Sequence, residues 1–483
     1  MHIMSAGKKS GIEAPPESPI AFRACSNGEF CPKPETALDR TARQAFFSQV
    51  EARHRRLGLS RRQFAESACG VMAALFVINQ VYGCGNARRG SGGAQAHAGS
   101  AGYGVDPTMM EDLDLACEAL TGPDFVMDVQ VHPATPLNPW RNAPLPSTAE
   151  DFIRTLFVDS DTTVACLSGV PGARDLGRDN VEASDYLQEL TDKLGKRRLI
   201  YHANIDPTRG ASELAYMQEL AGTYDLSAWK VYPHVGPWRL DDPLVGLPFL
   251  EQARQLNVKL IAAHRGIAAD SGLFDAPSSP VDLTRAAAQM PDVKFLVYHS
   301  GWQSNIDENH AFDPQNTNPG GVDRLIKGVL DAGIGSTGNV YAELGSTWRN
   351  LMTSPNEAAH VLGKLLKHLG EDRIIWGTDS VFTGSPQEQI QAFRLFEIPI
   401  PFQELYGYPA LTSAVKAKIL GLNGAALYGI DPEAMRCAIK NDFVERLKLA
   451  RREDPESVPV PGEKRYGPKD PEEYRRFLRW ERG

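Results

Sequence analysis

Between residues 125 and 376 the chain repeats a short apolar run, a loop and a helical stretch until eight strand-like segments have been counted. Those segments fall at 125–131, 163–167, 199–203, 228–232, 258–263, 294–298, 340–344 and 373–376. Helix-period stretches separate them, and one, 181–194, closes on Gly195, a residue suited to a helix C-terminus. Apolar runs rich in β-branched residues, with helices between them, suit parallel strands covered on the outside. Eight such units predict an α/β fold, a (β/α)8 TIM-type barrel, with its active site where strand C-termini meet the following loops. A doubly wound open sheet is the runner-up. It lacks a Gly-rich phosphate turn after the first strand.

Ligand-type residues collect at the predicted rim. In the first strand, alternation sets Asp128, Gln130 and His132 on one side and Val129 and Val131 on the other. The fifth strand ends in His264-Arg265, the sixth in His299 followed closely by Trp302, and the eighth in Thr378-Asp379-Ser380. A single histidine at a strand end is commonly structural. Imidazoles and a carboxylate converging on one rim are what a divalent catalytic ion requires.

The net charge of -9 gives no electrostatic footprint for nucleic acid. Seven cysteines, odd in number and without CxxC spacing, argue against a disulfide framework and a cysteine-bound zinc, and make Cys117 and Cys166 expected core residues. Residues 1–52 read as a disordered N-terminal segment by composition. In 53–98, the basic cluster from Arg53 to Arg62 precedes an apolar run from Cys69 to Ile78, the charge order of a signal. Ser60-Arg61-Arg62-Gln63-Phe64 resembles the twin-arginine export motif, although Ala65 and Glu66 stand where it carries Leu and Lys. A small-residue linker with A-x-A patterns at 94–96 and 96–98 follows, so a mature domain is expected near residue 99. The export machinery would be a partner and the periplasm the location, with the cytoplasm as alternative. An amphipathic surface helix is the competing reading of this stretch. The barrel domain is set at 99–430, and 431–483 is a helical extension packing on its own barrel or, in a homo-oligomer, on a second subunit.

These residues carry a family resemblance. Residues 124–430 resemble the amidohydrolase superfamily, specifically the branch containing aminocarboxymuconate-semialdehyde decarboxylase, aromatic-acid decarboxylases and lactone hydrolases. The match rests on Gln130-x-His132, His264, His299, Trp376 to Asp379, Lys230 in Trp229-Lys230-Val231-Tyr232-Pro233, and the segment Ile419 to Gly429, which is similar to the branch's closing helix. The resemblance implies that His132, His264 and Asp379 bind a divalent ion, Zn²⁺ by their mixed N and O set. Gln130 stands where the family places a stronger ligand. Asp379 would carry the proton and His299 would polarise the substrate or steady the nucleophile. Lys230, Tyr232, Arg265, Trp302 and Glu343 are supporting or substrate-binding candidates: Lys230 for a carboxylate, Arg265 for an anion or a structural ion pair, and Glu343 as the partner of Lys230 or an added ligand. Trp302 and the loop 303–320 are expected to cover the site, with His310 merely exposed.

The leading expectation is a metal-dependent hydrolase of a small ester, lactone or amide acting through activated water. The alternatives are a non-oxidative decarboxylase of an aromatic or unsaturated acid, and a catalytically faded barrel serving as a periplasmic binding protein.

Overall fold

The structure is a computed structural model. It describes residues 16–23, 26–27, 29–83, 101–132, 148–169, 181–267, 277–381, 384–454 and 468–475. The expected cleavage patterns at 94–98 and the end of the tail beyond residue 475 lie outside the described residues.

Eight parallel strands form one sheet in sequential order: β1 (Val126–Val131), β2 (Thr162–Leu167), β3 (Leu199–Asn204), β4 (Leu226–Val231), β5 (Leu260–His264), β6 (Lys294–Tyr298), β7 (Val340–Glu343) and β8 (Ile374–Ile375). The sheet closes on itself. Val129 N–H donates to Trp376 O (3.1 Å), Asp379 N–H to Gln130 O (2.9 Å) and His132 N–H to Ser380 O (2.7 Å), joining the chain around β8 to β1. Helices alternate with the strands, as a (β/α)8 barrel demands. Strand β8 is shorter than its sequence suggests because Trp376 N–H bonds Ile419 O of the closing segment. That segment, Lys418–Leu422 continuing into Asn423–Tyr428, lies against β1 so closely that a Cβ on Gly421 would fall 1.6 Å from Phe125 O. Only glycine fits there.

The helix expected to end at Gly195 continues to Arg198 across a kink, where Gly195 takes φ 66°. Arg198 is buried and paired with Asp442 and Glu445 (Nη2 to Glu445 Oε1, 2.9 Å), which fastens the C-terminal helix Phe443–Glu453 to its own barrel. Cys166 is buried, whereas Cys117 is exposed: in Leu113–Leu120 the inward positions are Ala116 and Leu120.

The N-terminal region departs most from its sequence reading. Residues 1–15 lie outside the described part, but Ala37–Arg53 is a helix (α1), not a disordered stretch. Thr36 and Asp39 make a capping box, and Ala42, Phe46 and Val50 recur every four residues as a buried stripe. The twin-arginine-like stretch begins helix α2 (Arg61–Glu66), capped by Ser60. The apolar run that follows is helix α3 (Ala68–Ile78), buried on nearly every side in the same core cluster as α1 and the barrel's covering residues. A helix apolar all round is what a protein core and a signal both need, so hydropathy alone does not separate them. Among the described residues no helix is long and apolar enough to cross a membrane.

Candidate metal centre and active site

The rim residues meet. His132 Nδ1 lies 3.0 Å from Ser168 O, and because a carbonyl only accepts, that nitrogen carries the proton. Its Nε2 then faces Asp379 Oδ1 at 3.0 Å. Gln130 Nε2 donates to the same oxygen (3.0 Å). Asp379 Oδ2 accepts from Ser346 Oγ (2.5 Å) and from Asn27 Nδ2 (2.9 Å). Burial would raise the Asp379 carboxyl, but the hydrogen bond and charge of His132 outweigh it and hold it below the usual carboxylate range.

Next to this group stand His264 and His299, ring centroids 4.6 Å apart and edge to face. His299 Nδ1 donates to Gly345 O (2.7 Å), which leaves its Nε2 lone pair without a hydrogen-bond partner among the described residues. Among the described residues neither ring nitrogen of His264 has a hydrogen-bond partner either, although its Nε2 is 3.0 Å from Glu29 Oε1. Burial pushes both imidazoles down, so they stay neutral and able to ligate. Glu29, His264 and His299 each offer a ligand atom within 4.8 Å of the others.

The backbone is held in an unusual shape here. His299, Ser300, Ser346 and Asp379 all take positive φ, between 52° and 65°. Such residues cost about 1–3 kcal/mol each and persist where the surroundings fix them. Glu343 fixes the His299–Ser300 turn: its carboxylate accepts from His299 N–H (2.9 Å) and Gly345 N–H (2.5 Å), and Ser300 Oγ bonds its carbonyl (2.7 Å). It is therefore a brace for the His299 turn, not a hydrogen-bonded partner of Lys230. Asp128 is likewise engaged, accepting from Gln130 N–H (3.1 Å) and from Thr378 through both N–H and Oγ1. Burial raises its carboxyl to about 7.

The other candidates divide. Lys230 is fully buried, its Nζ 3.2 Å from the centroid of the Tyr298 ring and 4.6 Å from that of Tyr232, and it has no hydrogen-bond partner among the described residues. Tyr232 donates to Gly169 O (2.7 Å) and sets its ring 5.5 Å from that of His264. Arg265 is a structural ion pair, forked onto Asp282 at 2.9 and 3.1 Å and bonded to His264 O. It is not free for a substrate anion. Trp302 is buried. The best-anchored side chain of the loop after it, Glu308, turns to Lys364 (2.6 Å) and to the N-terminus of Gly321–Asp331, so that part of the loop is fastened to helices. His310 is about half exposed, as expected.

Sequence reasoning missed Asn27, Glu29, Ser346 and His234, whose ring is 4.4 Å from that of His264. Glu29 and Asn27 had no signal to find, for they precede the barrel by about a hundred residues in a stretch without periodicity.

The donor set fits a divalent ion. Glu29 and the buried, bare imidazole nitrogens of His264 and His299 form one ligand-sized group, and the Asp379 carboxylate stands with Gln130 and His132 in a second group, joined to Glu29 through Asn27, where an uncompensated polar group is costly.

A family model described as Amidohydrolase matches residues 127–430. No curated protein matches the chain. Among solved structures, 2,6-dihydroxybenzoate decarboxylase from Rhizobium is 15% identical, with 64% of this chain and 99% of that chain covered and a TM-score of 0.39. A dihydroxybenzoic acid decarboxylase from Polaromonas, with manganese and 2-nitroresorcinol bound, is 14% identical (64% and 97% covered, TM-score 0.39). A candidate 2-pyrone-4,6-dicarboxylic acid hydrolase from Pseudomonas putida is 16% identical (63% and 97% covered, TM-score 0.38).

Proposed function

The chain belongs to the amidohydrolase family, matched over residues 127–430, and from that premise we propose that it is a divalent-metal enzyme acting on a small organic carboxylate by non-oxidative decarboxylation. The observation that carries the anionic substrate is Lys230, a buried ammonium that lacks an acceptor among the described residues and rests on the faces of Tyr298 and Tyr232. A carboxylate supplies the missing acceptor, and the aromatic walls suit a flat, unsaturated body.

His132, His264, Asp379 and Gln130 would hold the ion, with Zn²⁺ the expected metal; when bound it would polarise the substrate's oxygen atoms. Asp379, its carboxyl held low beside the His132 imidazole, suits a ligand better than a proton carrier. This shifts the proton role to His299. Held neutral, its bare Nε2 would relay a proton drawn from solvent to the carbon that loses CO₂. The balance is one carboxylate and one proton in, one C–H bond and CO₂ out, with solvent returning the proton to His299.

Hydrolysis is the second reading, favoured by the bare Nε2 lone pair of His299, which could take a proton from water. Product analysis separates them. Purified protein supplied with divalent metal should release labelled CO₂ from carboxyl-labelled hydroxybenzoic acids; acid production from lactones or esters without CO₂ release would overturn decarboxylation. The binding-protein reading falls if either turnover depends on His264.

For location, we propose that the working protein keeps residues 16–83, instead of losing them after Ala96 or Ala98. Supporting this, α3 is core and Glu29 reaches His264. A purified protein whose measured mass places its N-terminus near residue 99 would overturn the proposal and return the twin-arginine-like stretch to an export role.

A further inference from the structure

We propose that Glu29, from the segment preceding the barrel, is a ligand of the divalent ion and supplies the second negative charge that Gln130 does not. The inference rests on the metal-dependent reading above.

The argument begins with charge. A buried divalent cation needs compensating carboxylates, because neutral imidazoles and amides provide lone pairs but no countercharge. Asp379 provides one. Gln130 occupies the neighbouring position as an amide and provides none. The two other buried carboxylates nearby are already engaged: Glu343 by His299 N–H and Gly345 N–H, and Asp128 by Gln130 N–H and Thr378. Among the described residues, Glu29 is the carboxylate that joins His264 and His299 in one ligand-sized group.

Its placement agrees. Glu29 Oε1 is 3.0 Å from His264 Nε2 and lies in one ligand-sized group with His264 and His299. Its side chain is only 12% exposed, although the residue lies outside every barrel element. The carboxylate is held from behind. Asn27 Nδ2 donates both to Glu29 Oε2 (2.8 Å) and to Asp379 Oδ2 (2.9 Å), tying the two acids to one amide. Asn27 Oδ1 in turn accepts from Glu29 N–H (3.1 Å).

The flanking residues fix this turn to the rest of the molecule. Ser26 N–H bonds Pro468 O (2.9 Å), Ser26 Oγ bonds Phe30 O (2.5 Å), and Phe30 is buried. Upstream, the ring of Phe22 packs edge-on against Phe46 of α1 at 6.2 Å. A solvated acid drifting over a pocket would have none of these restraints.

The test is Zn²⁺ titration by calorimetry on the full chain, stripped of metal, comparing wild type, Glu29→Gln and the double variant Glu29→Gln with Gln130→Glu. Unfolding of each metal-free protein shows that it is folded. The expected result is at least a tenfold loss of Zn²⁺ affinity in Glu29→Gln and recovery to within about threefold of wild type in the double variant, since one acid replaces the other. Unchanged or tighter Zn²⁺ binding by Glu29→Gln overturns the proposal and makes the segment a plug over the site. Wild type that binds no Zn²⁺, Mn²⁺ or Co²⁺ overturns the metal-dependent reading itself, an outcome distinct from failure of Glu29 alone.

Discussion

Replacing Lys230 with methionine should stabilise the metal-free protein while weakening its hold on an anionic substrate. Burial drives the Lys230 ammonium from 10.5 down to about 7, against the pull of Glu343 and Asp379. Between those two values the unfolded chain holds a proton that the folded chain resists, so stability contributed by this residue rises with pH from about 7 to 10.5. At pH 7 the charge costs on the order of 5 kcal/mol. Opposing this are the contacts with Tyr298 and Tyr232, each worth about 2 kcal/mol at most when desolvated. Desolvation wins, and methionine keeps most of the stem volume. The expected gain is about 1–3 kcal/mol at pH 7, shrinking toward zero or reversing by pH 9.5. Urea unfolding of both proteins, with chelator present, at the two pH values reads this directly. The same variant should raise KM for a carboxylate substrate at least tenfold. A Lys230→Met protein with the wild-type pH dependence, or one less stable at pH 7, would refute the claim that this ammonium is buried and unpaired.

Other expectations follow the same logic. Lys364 is wholly buried between Glu308 (2.6 Å) and Asp323 (2.7 Å), so Lys364→Met strands two acids and should cost about 3–5 kcal/mol in urea unfolding; a loss below about 1 kcal/mol would mean that water reaches them. A Cβ on Gly377 would sit 1.8 Å from Glu343 Oε1, so Gly377→Ala should cost about 1–3 kcal/mol and, by displacing the brace of the His299 turn, reduce kcat more than metal affinity; wild-type turnover would refute the bracing role. Burial and the Lys230 charge lower His202 to about 3, while Tyr298 and Tyr428 hold its ring. The unfolded chain therefore takes up a proton below pH 6.5 that the folded chain refuses, a loss of about 2 kcal/mol by pH 5. A His202→Gln protein should show a shallower acid slope in thermal unfolding, and an unchanged slope would count against it.

Much of this was legible from residue order. Strand β1 begins one residue and β5 two residues from where alternation and apolar runs put them, because parallel barrel strands are buried on both faces and leave unmistakable apolar blocks. His132, His264, His299 and Asp379 were legible for a related reason: a strand end delivers its side chain to the rim whatever the loops do. Arg265 stayed open between a substrate anion and a structural ion pair because its partner Asp282 arrives from a helix that adjacency in sequence does not reveal. The α3 segment stayed ambiguous because an apolar run has one composition and two destinations. Glu29 was invisible, since a ligand brought in by an irregular segment obeys no period.

The hydrogen bond between Asn27 and Asp379 spans 352 residues, and the barrel closes only when Ser380 reaches Val131. During synthesis the first piece of the site leaves the ribosome long before the last, and no fragment ending before the eighth strand contains it. Long-range closure of this kind is slow, because the loop entropy is lost before the contacts that offset it exist. On the metal-dependent reading, capture of the ion is therefore a late event that follows barrel closure, and an ion offered to a growing chain finds only scattered imidazoles.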